Sequence, residues 1–117
     1  MPPARITAAI MVMALTACSS AAPKAKSTPT PDHPNEVIIV DYVFYPRTLT
    51  VPVGTTVTWV NRDIAPHTAT YRSFGDEAFD SGSLKHLDTY EHAFKTAGSY
   101  TYICVFHQGM TGTIVVQ

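Results

Sequence analysis

The chain has 117 residues, of which 15% are charged, and its formal net charge at pH 7 is −1. A chain of this length supplies one small domain with a single hydrophobic core. Its few basic residues form no stripe or cluster along the sequence, which excludes nucleic-acid binding as the function.

The N-terminal segment has the pattern of an export signal. Arg5 precedes an apolar run over residues 6–15, which is too short to span a bilayer as a helix. The run ends in Leu15-Thr16-Ala17-Cys18, which resembles the lipobox of bacterial lipoproteins, in which this Cys is lipidated. We therefore expect residues 1–17 to be a signal peptide and Cys18 to anchor the protein to a membrane, facing the periplasm or the cell exterior. The alternative is an ordinary signal peptide with an incidental Cys.

Residues 18–35 are rich in Pro, Ala, Ser, Thr and Lys. Such a composition buries too little apolar surface to fold, and its prolines keep the backbone semi-extended. We predict a flexible tether that holds a folded domain, residues 36–117, away from the membrane.

The folded domain has the sequence pattern of an all-β protein. It carries five basic and eight acidic residues, and its short β-branched and aromatic segments are separated by Gly, Pro, Asn and Asp turn signals. The pattern predicts an antiparallel β-sandwich of about seven or eight strands, and it also allows a helical turn within Phe74 to Ser83. The predicted strands are Val37–Val40, Thr48–Val51, Thr55–Asn61, His67–Tyr71, Tyr90–Phe94, Ser99–Val105 and Thr113–Val116.

The strongest functional signal is a set of metal-binding side chains. Cys104, His107 and Met110 recur at three-residue intervals before the last strand, and His67 follows the strand that ends at Asn61. Two imidazoles, one thiolate and a weak axial thioether are typical of copper electron-transfer sites. Zinc is the competing metal, but structural zinc sites need more Cys or His ligands than this domain supplies. We also predict no disulfide, because Cys18 and Cys104 each have another role.

Longer motifs extend across the domain around these ligands. They are Asp41-Tyr-Val-Phe44-Tyr-Pro46, Val51-Pro-Val-Gly54-Thr-Thr-Val57-Thr-Trp59-Val-Asn61, Pro66-His67, Phe94-Lys-Thr-Ala-Gly98-Ser-Tyr100-Thr-Tyr102-Ile-Cys104, His107 and Met110-Thr-Gly112. These motifs resemble those of the cupredoxins, most closely the amicyanin and plastocyanin groups. The resemblance implies a Greek-key sandwich with one mononuclear blue-copper site, in which His67 and His107 are the imidazole ligands, Cys104 the thiolate ligand and Met110 the long axial ligand. It implies electron transfer as the function.

The chain departs from the family pattern beside the ligands. Relatives commonly have Asn after the first His and Ser or Thr after the Cys, where this chain has Thr68 and Val105. Since Val105 has no polar side chain, any tie between the two ligand loops must use backbone groups. Phe106 stands where many relatives have Pro, so its amide is free to donate to the Cys sulfur, which would raise the reduction potential.

We expect the protein to take one electron from a donor protein and deliver it to an acceptor. The exit would be His107, ringed by Pro66, Phe106 and Met110, with Thr68 supporting the site. Weak, brief docking suits such an apolar ring, and we expect a monomer. Copper storage or delivery is the alternative function. An enzyme is not expected, because a filled site in one small domain offers no open coordination position.

Two other residues are expected to be structural. Trp59 is predicted to lie in the core. The strand around His92 turns its imidazole inward, where a satisfied core or rim position is the simplest interpretation. His33 and His86 are expected to be exposed.

Overall fold

The computed structural model describes residues 3–4, 27–74 and 77–117. Within this part of the chain the regular elements are nine β-strands, and no helix is present. Apart from residues 3–4, the predicted signal peptide lies outside the described residues, and so does Cys18. The strands are β1 (Glu36–Val40), β2 (Val43–Tyr45), β3 (Thr48–Val51), β4 (Thr56–Asn61), β5 (Thr70–Tyr71), β6 (Phe79–Asp80), β7 (Thr89–Ala93), β8 (Gly98–Ile103) and β9 (Thr111–Val116).

The strands form two sheets that face each other as a sandwich. One sheet has the order β2-β1-β4-β7 and the other β3-β9-β8-β5-β6. The all-β sandwich is therefore confirmed. Both sheets are mixed, however, because β1 pairs with β4 and β3 with β9 in parallel, whereas the sequence pattern had suggested antiparallel pairing throughout.

The strand count is nine because the structure adds two short strands. β2 has three residues and β6 has two, which is too short for an alternating pattern to show in the sequence. β6 lies between Phe74 and Ser83, so part of the segment in which the sequence also allowed a helical turn is a strand.

The core follows from strict alternation along the central strands. β4 and β9 both repeat a buried residue at every second position, so that Val57, Trp59, Ile114 and Val116 point between the sheets. Trp59 is fully buried and meets Tyr102 edge to face with ring centroids 5.4 Å apart. The prediction that Trp59 is a core residue is confirmed.

His92 turns inward as expected, but its imidazole is not satisfied. The ring lies 4.8 Å from the rings of both Phe79 and Phe94, and among the described residues nothing hydrogen-bonds its buried Nε2. Burial lowers the pKa of His92, against the opposing charge of Glu77. The structure places His92 among core aromatics and away from the metal-binding side chains.

The segment before β1 already contacts the domain. Asn35 O accepts a hydrogen bond of 3.0 Å from Thr58 N, and Arg62 Nη2 lies 2.6 Å from Asp32 Oδ2. In the described ranges we find no helix with the length and apolar character needed to cross a bilayer.

Candidate metal centre

A buried asparagine shapes the loop that presents His67. Asn61, the last residue of β4, is fully buried, and its side-chain amide donates to Ala65 O at 2.9 Å and to Leu84 O at 2.8 Å. His67 also exchanges two backbone hydrogen bonds with Leu84. The His67 backbone is therefore held from two sides, and its side chain is completely buried.

The other predicted ligands lie on the loop between β8 and β9. Cys104 N donates to Met110 O at 3.0 Å, and Met110 N donates to His107 O at 3.3 Å, so the loop is closed on itself. Gly109 has a φ of +82°, a conformation that glycine adopts without strain. Cys104 and Met110 are buried, whereas His107 is partly exposed.

The structure brings three of the predicted ligand atoms to one point. The Nδ1 atoms of His67 and His107 are 3.1 Å apart. Cys104 Sγ lies 3.7 Å from His67 Nδ1 and 3.5 Å from His107 Nδ1. Two imidazole nitrogens and a sulfur at such distances suit bonds to one small ion between them, with Met110 buried in the same loop.

Asp63 orients His67 and was missed by the sequence reasoning. Its Oδ2 lies 2.7 Å from His67 Nε2, so a proton on Nε2 leaves the Nδ1 lone pair facing the ligand cluster. Its carboxylate also accepts the backbone amides of Asp41 and Tyr42 at 2.7 and 2.9 Å. The only sequence signal is an acidic residue four positions before His67.

The electrostatics of Asp63 agree with this role. Burial raises its pKa, but the hydrogen bonds from Tyr42 and Asp41 and the contact with His67 outweigh burial, so the pKa lies below its ordinary value. A charged carboxylate is the better acceptor for the imidazole N–H.

Thr68 ties the two ligand loops together. Its amide donates to Cys104 Sγ at 3.4 Å, and its hydroxyl accepts the amide of Val105 at 2.9 Å. The tie uses one backbone amide from each loop, as the nonpolar side chain of Val105 predicted. Within the described residues the sulfur accepts the amide of Thr68 instead of that of Phe106, which lies on the exposed outer side of its loop.

The rim of the site contains an aromatic residue that the sequence did not reveal. Tyr42 is half exposed and stands edge-on to both imidazoles, with centroids 5.1 Å from His67 and 4.7 Å from His107. Its φ of +62° places it on a tight turn that no sequence signal had marked. Pro66 and Phe106 are exposed, while Met110 is 6% exposed and contributes little to the outer surface.

The donor set fits copper. Structural zinc sites are closed by four Cys or His ligands, whereas one thiolate, two imidazoles and a weak thioether is the combination found in blue-copper centres. Binding of the metal would deprotonate Cys104.

Curated relatives point the same way. The chain is 41% identical to the plastocyanin of Scenedesmus fuscus over 88 residues, which cover 64% of this chain and 87% of that protein. It is 38% identical to the amicyanin of Paracoccus denitrificans over 71 residues, which cover 59% of this chain and 54% of that protein. The chain thus spans about half the length of this amicyanin.

Solved structures share the fold. A reduced mutant of amicyanin superposes with a TM-score of 0.68 at 32% identity, covering 75% of this chain and 86% of that chain. A copper-containing nitrite reductase from Thermus scotoductus SA-01 superposes with a TM-score of 0.67 at 34% identity, covering 80% of this chain but 24% of the enzyme.

Residues 7–116 match the Cupredoxin-like domain family. This match covers nearly the whole chain and includes all four predicted ligands. The sandwich, the converging side chains and the relatives agree with it, and the chain belongs to the cupredoxin family.

Proposed function

We propose that this protein carries single electrons between redox proteins through one copper ion held by His67, Cys104, His107 and Met110. The observation that carries the proposal is the convergence of one thiolate and two imidazoles within 4.8 Å of one another at one end of a rigid sandwich. Bound copper supplies a one-electron couple between Cu(II) and Cu(I).

The protein's own contribution is to keep its ligands in place. Electron transfer is fast when the ligands move little between the two oxidation states. The Asp63 carboxylate, which two amides of the turn between β1 and β2 hold in place, fixes His67, and the amide of Thr68 fixes Cys104.

The exposed end of the site supports transient docking. His67 is completely buried, whereas His107 is partly exposed beside the half-exposed rings of Tyr42 and Phe106. A small apolar surface of this kind suits brief contacts with an electron donor and an acceptor, one at a time. We propose that the protein acts as a monomer.

Two finer points belong to the same proposal. Four donor groups leave no open coordination position for a substrate, and the chain covers only 24% of the nitrite reductase. Both observations favour a carrier over an enzyme. The lipobox-like sequence before Cys18 supports export and lipid anchoring outside the cytoplasm.

The test is a redox cycle of the Cu(II)-loaded protein from Ser27 onward, followed by absorption and EPR. We expect an intense visible thiolate-to-copper charge-transfer band that ascorbate bleaches and ferricyanide restores without loss of copper. The Cys104→Ser variant, which lacks the thiolate, should show no such band. Copper lost at each reduction would instead support storage or delivery, and a colourless Cu(II) protein would contradict the proposed site.

A further inference from the structure

A series of hydroxyl groups leads from the ligand loop to a carboxylate on the edge of the second sheet. Val105 N donates to Thr68 Oγ1 at 2.9 Å, and Thr68 Oγ1 lies 3.0 Å from Thr70 Oγ1. Thr70 Oγ1 in turn lies 3.1 Å from Asp80 Oδ1. Both threonines are 2% exposed, so the two hydroxyls are shielded from water, whereas Asp80 at the end of the series is exposed.

The strand geometry explains why the two hydroxyls line up. Thr70 begins β5 and Thr68 lies two residues before it, so their side chains share one face of the extended chain, while Ala69 between them is fully buried in the core. Thr70 pairs with Asp80 of β6 on one side and with Ile103 of β8 on the other. The series therefore bridges β6 and the loop that follows β8.

The proton positions follow from what each group can donate. A carboxylate oxygen only accepts, and each threonine has one hydroxyl proton. Thr70 therefore donates to Asp80, Thr68 donates to Thr70, and a lone pair of Thr68 stays free for the amide of Val105. Asp80 is itself fixed, because its Oδ1 also accepts the amide of Gly82 at 2.9 Å.

We infer that Asp80 is a positioning residue for the metal centre, acting through the hydroxyls of Thr70 and Thr68. The inference rests on the proposed function. Hydrogen bonds aligned head to tail strengthen one another, and a terminal carboxylate fixes the direction of the whole series. Without it, the two hydroxyls lose their fixed order, and the Thr68 side chain is free to turn about its Cα–Cβ bond, which carries the acceptor away from the Val105 amide.

Thr68 connects this series of hydrogen bonds to the sulfur of Cys104. The same residue that receives the Val105 amide donates its own amide to Cys104 Sγ at 3.4 Å. A hydrogen bond to the sulfur withdraws charge from it and favours the reduced metal. Loosening Thr68 therefore lowers the reduction potential.

The experiment compares Thr70→Val and Asp80→Ala with two controls. Thr70→Ser keeps the hydroxyl. Thr101→Val removes a threonine whose Oγ1 lies 3.2 Å from another threonine hydroxyl on the exposed face of β8, away from the ligand loop. Two quantities are measured on the copper-loaded protein. They are the midpoint potential and, in the Cu(I) form, hydrogen exchange of the Val105 amide relative to that of Trp59 in the other sheet.

Thr70→Val and Asp80→Ala should each lower the potential and speed Val105 exchange about tenfold relative to Trp59, the effect of losing one hydrogen bond of ordinary strength. Thr70→Ser and Thr101→Val should leave both quantities unchanged. Unchanged potential and exchange in Asp80→Ala, or equal effects of Thr70→Val and Thr101→Val, would overturn the inference. A wild-type protein without reversible redox chemistry would instead refute the proposed function, while Val105 exchange would still report on the series.

Discussion

At the scale of single residues, the site depends on a carboxylate that the ligand motif does not contain. Asp63 accepts two backbone amides from the β1–β2 turn and contacts the distal nitrogen of His67. The Asp63 side chain thus joins the turn between β1 and β2 to His67 on the loop after β4. The turn also carries Tyr42, whose ring packs against both imidazoles.

Replacing Asp63 by Ala should weaken copper binding about 10- to 100-fold, because partners of this kind orient metal-bound histidines. The measurement is competition for Cu(I) against a chelator of known affinity. Asp88→Ala is the matched control, since Asp88 accepts one amide in an exposed turn at 2.9 Å and does not contact a ligand. Equal affinities of the two variants would contradict this role for Asp63.

The ligand types were predictable at this scale, but their supports were not. The spacing of Cys104, His107 and Met110 is local and appears directly in the sequence. Asp63 and Tyr42 act through contacts between distant turns, and Tyr42 owes its position to a positive φ that its residue type does not suggest. Thr68 could be predicted in part, because Val105 has no side chain able to make the tie.

At the scale of strands, the geometry of the ligand loop depends on the pairing of β8 with β9. Tyr102 pairs with Gly112, and the Tyr102 ring is fully buried. A Cβ added at Gly112 would lie within 2.5 Å of Tyr102 Cζ and closer still to its hydroxyl oxygen. The absence of a side chain at Gly112 is what allows Tyr102 to enter the core two residues before the sulfur ligand.

Gly112→Ala should therefore destabilise the protein by about 1–3 kcal/mol, the usual effect of overpacking a core. Urea denaturation measures the change in the free energy of unfolding. Gly98→Ala, in the same strand pair, is the control, because its Cβ would meet Tyr100 at an ordinary 3.5 Å. A loss as large in Gly98→Ala would mean that the contact with Tyr102 is not the cause.

Strand locations were largely predictable, whereas strand partners were not. Alternation of buried residues marked β4, β8 and β9 because each has six residues. The parallel pairs join strands far apart in sequence, and no local pattern reveals a parallel neighbour.

At the scale of the whole molecule, the domain begins before the first strand. Asp32 and Asn35 already contact Arg62 and Thr58, so we propose that the flexible tether ends before Asp32. About fourteen semi-extended residues from Cys18 would then reach roughly 40 Å, at about 3 Å per residue. The start of the folded domain would stay within that distance of the anchoring membrane.

Replacing Cys18 by Ala should release the protein from the membrane, because the acyl chains have no other attachment point in the predicted lipobox. The measurement is fractionation of bacterial cells that express the full chain, followed by detection of the protein in membrane and soluble fractions. Cys104→Ser is the control and should remain membrane-bound. Equal distribution of Cys18→Ala and the unaltered protein would contradict the lipid anchor.

The position of β9 between β3 and β8 also predicts the order in which the second sheet assembles. Thr48 of β3 pairs with Thr113 of β9, so the second sheet cannot close until the segment after the ligand loop has arrived. Pairings of such long sequence separation form late and slowly. Until β9 has paired with β3, we expect the loop that carries Cys104 to lack its final conformation and the thiol to be open to oxidation. We therefore expect copper to bind once β9 has docked, because only then are Cys104, His107 and Met110 held in one closed loop.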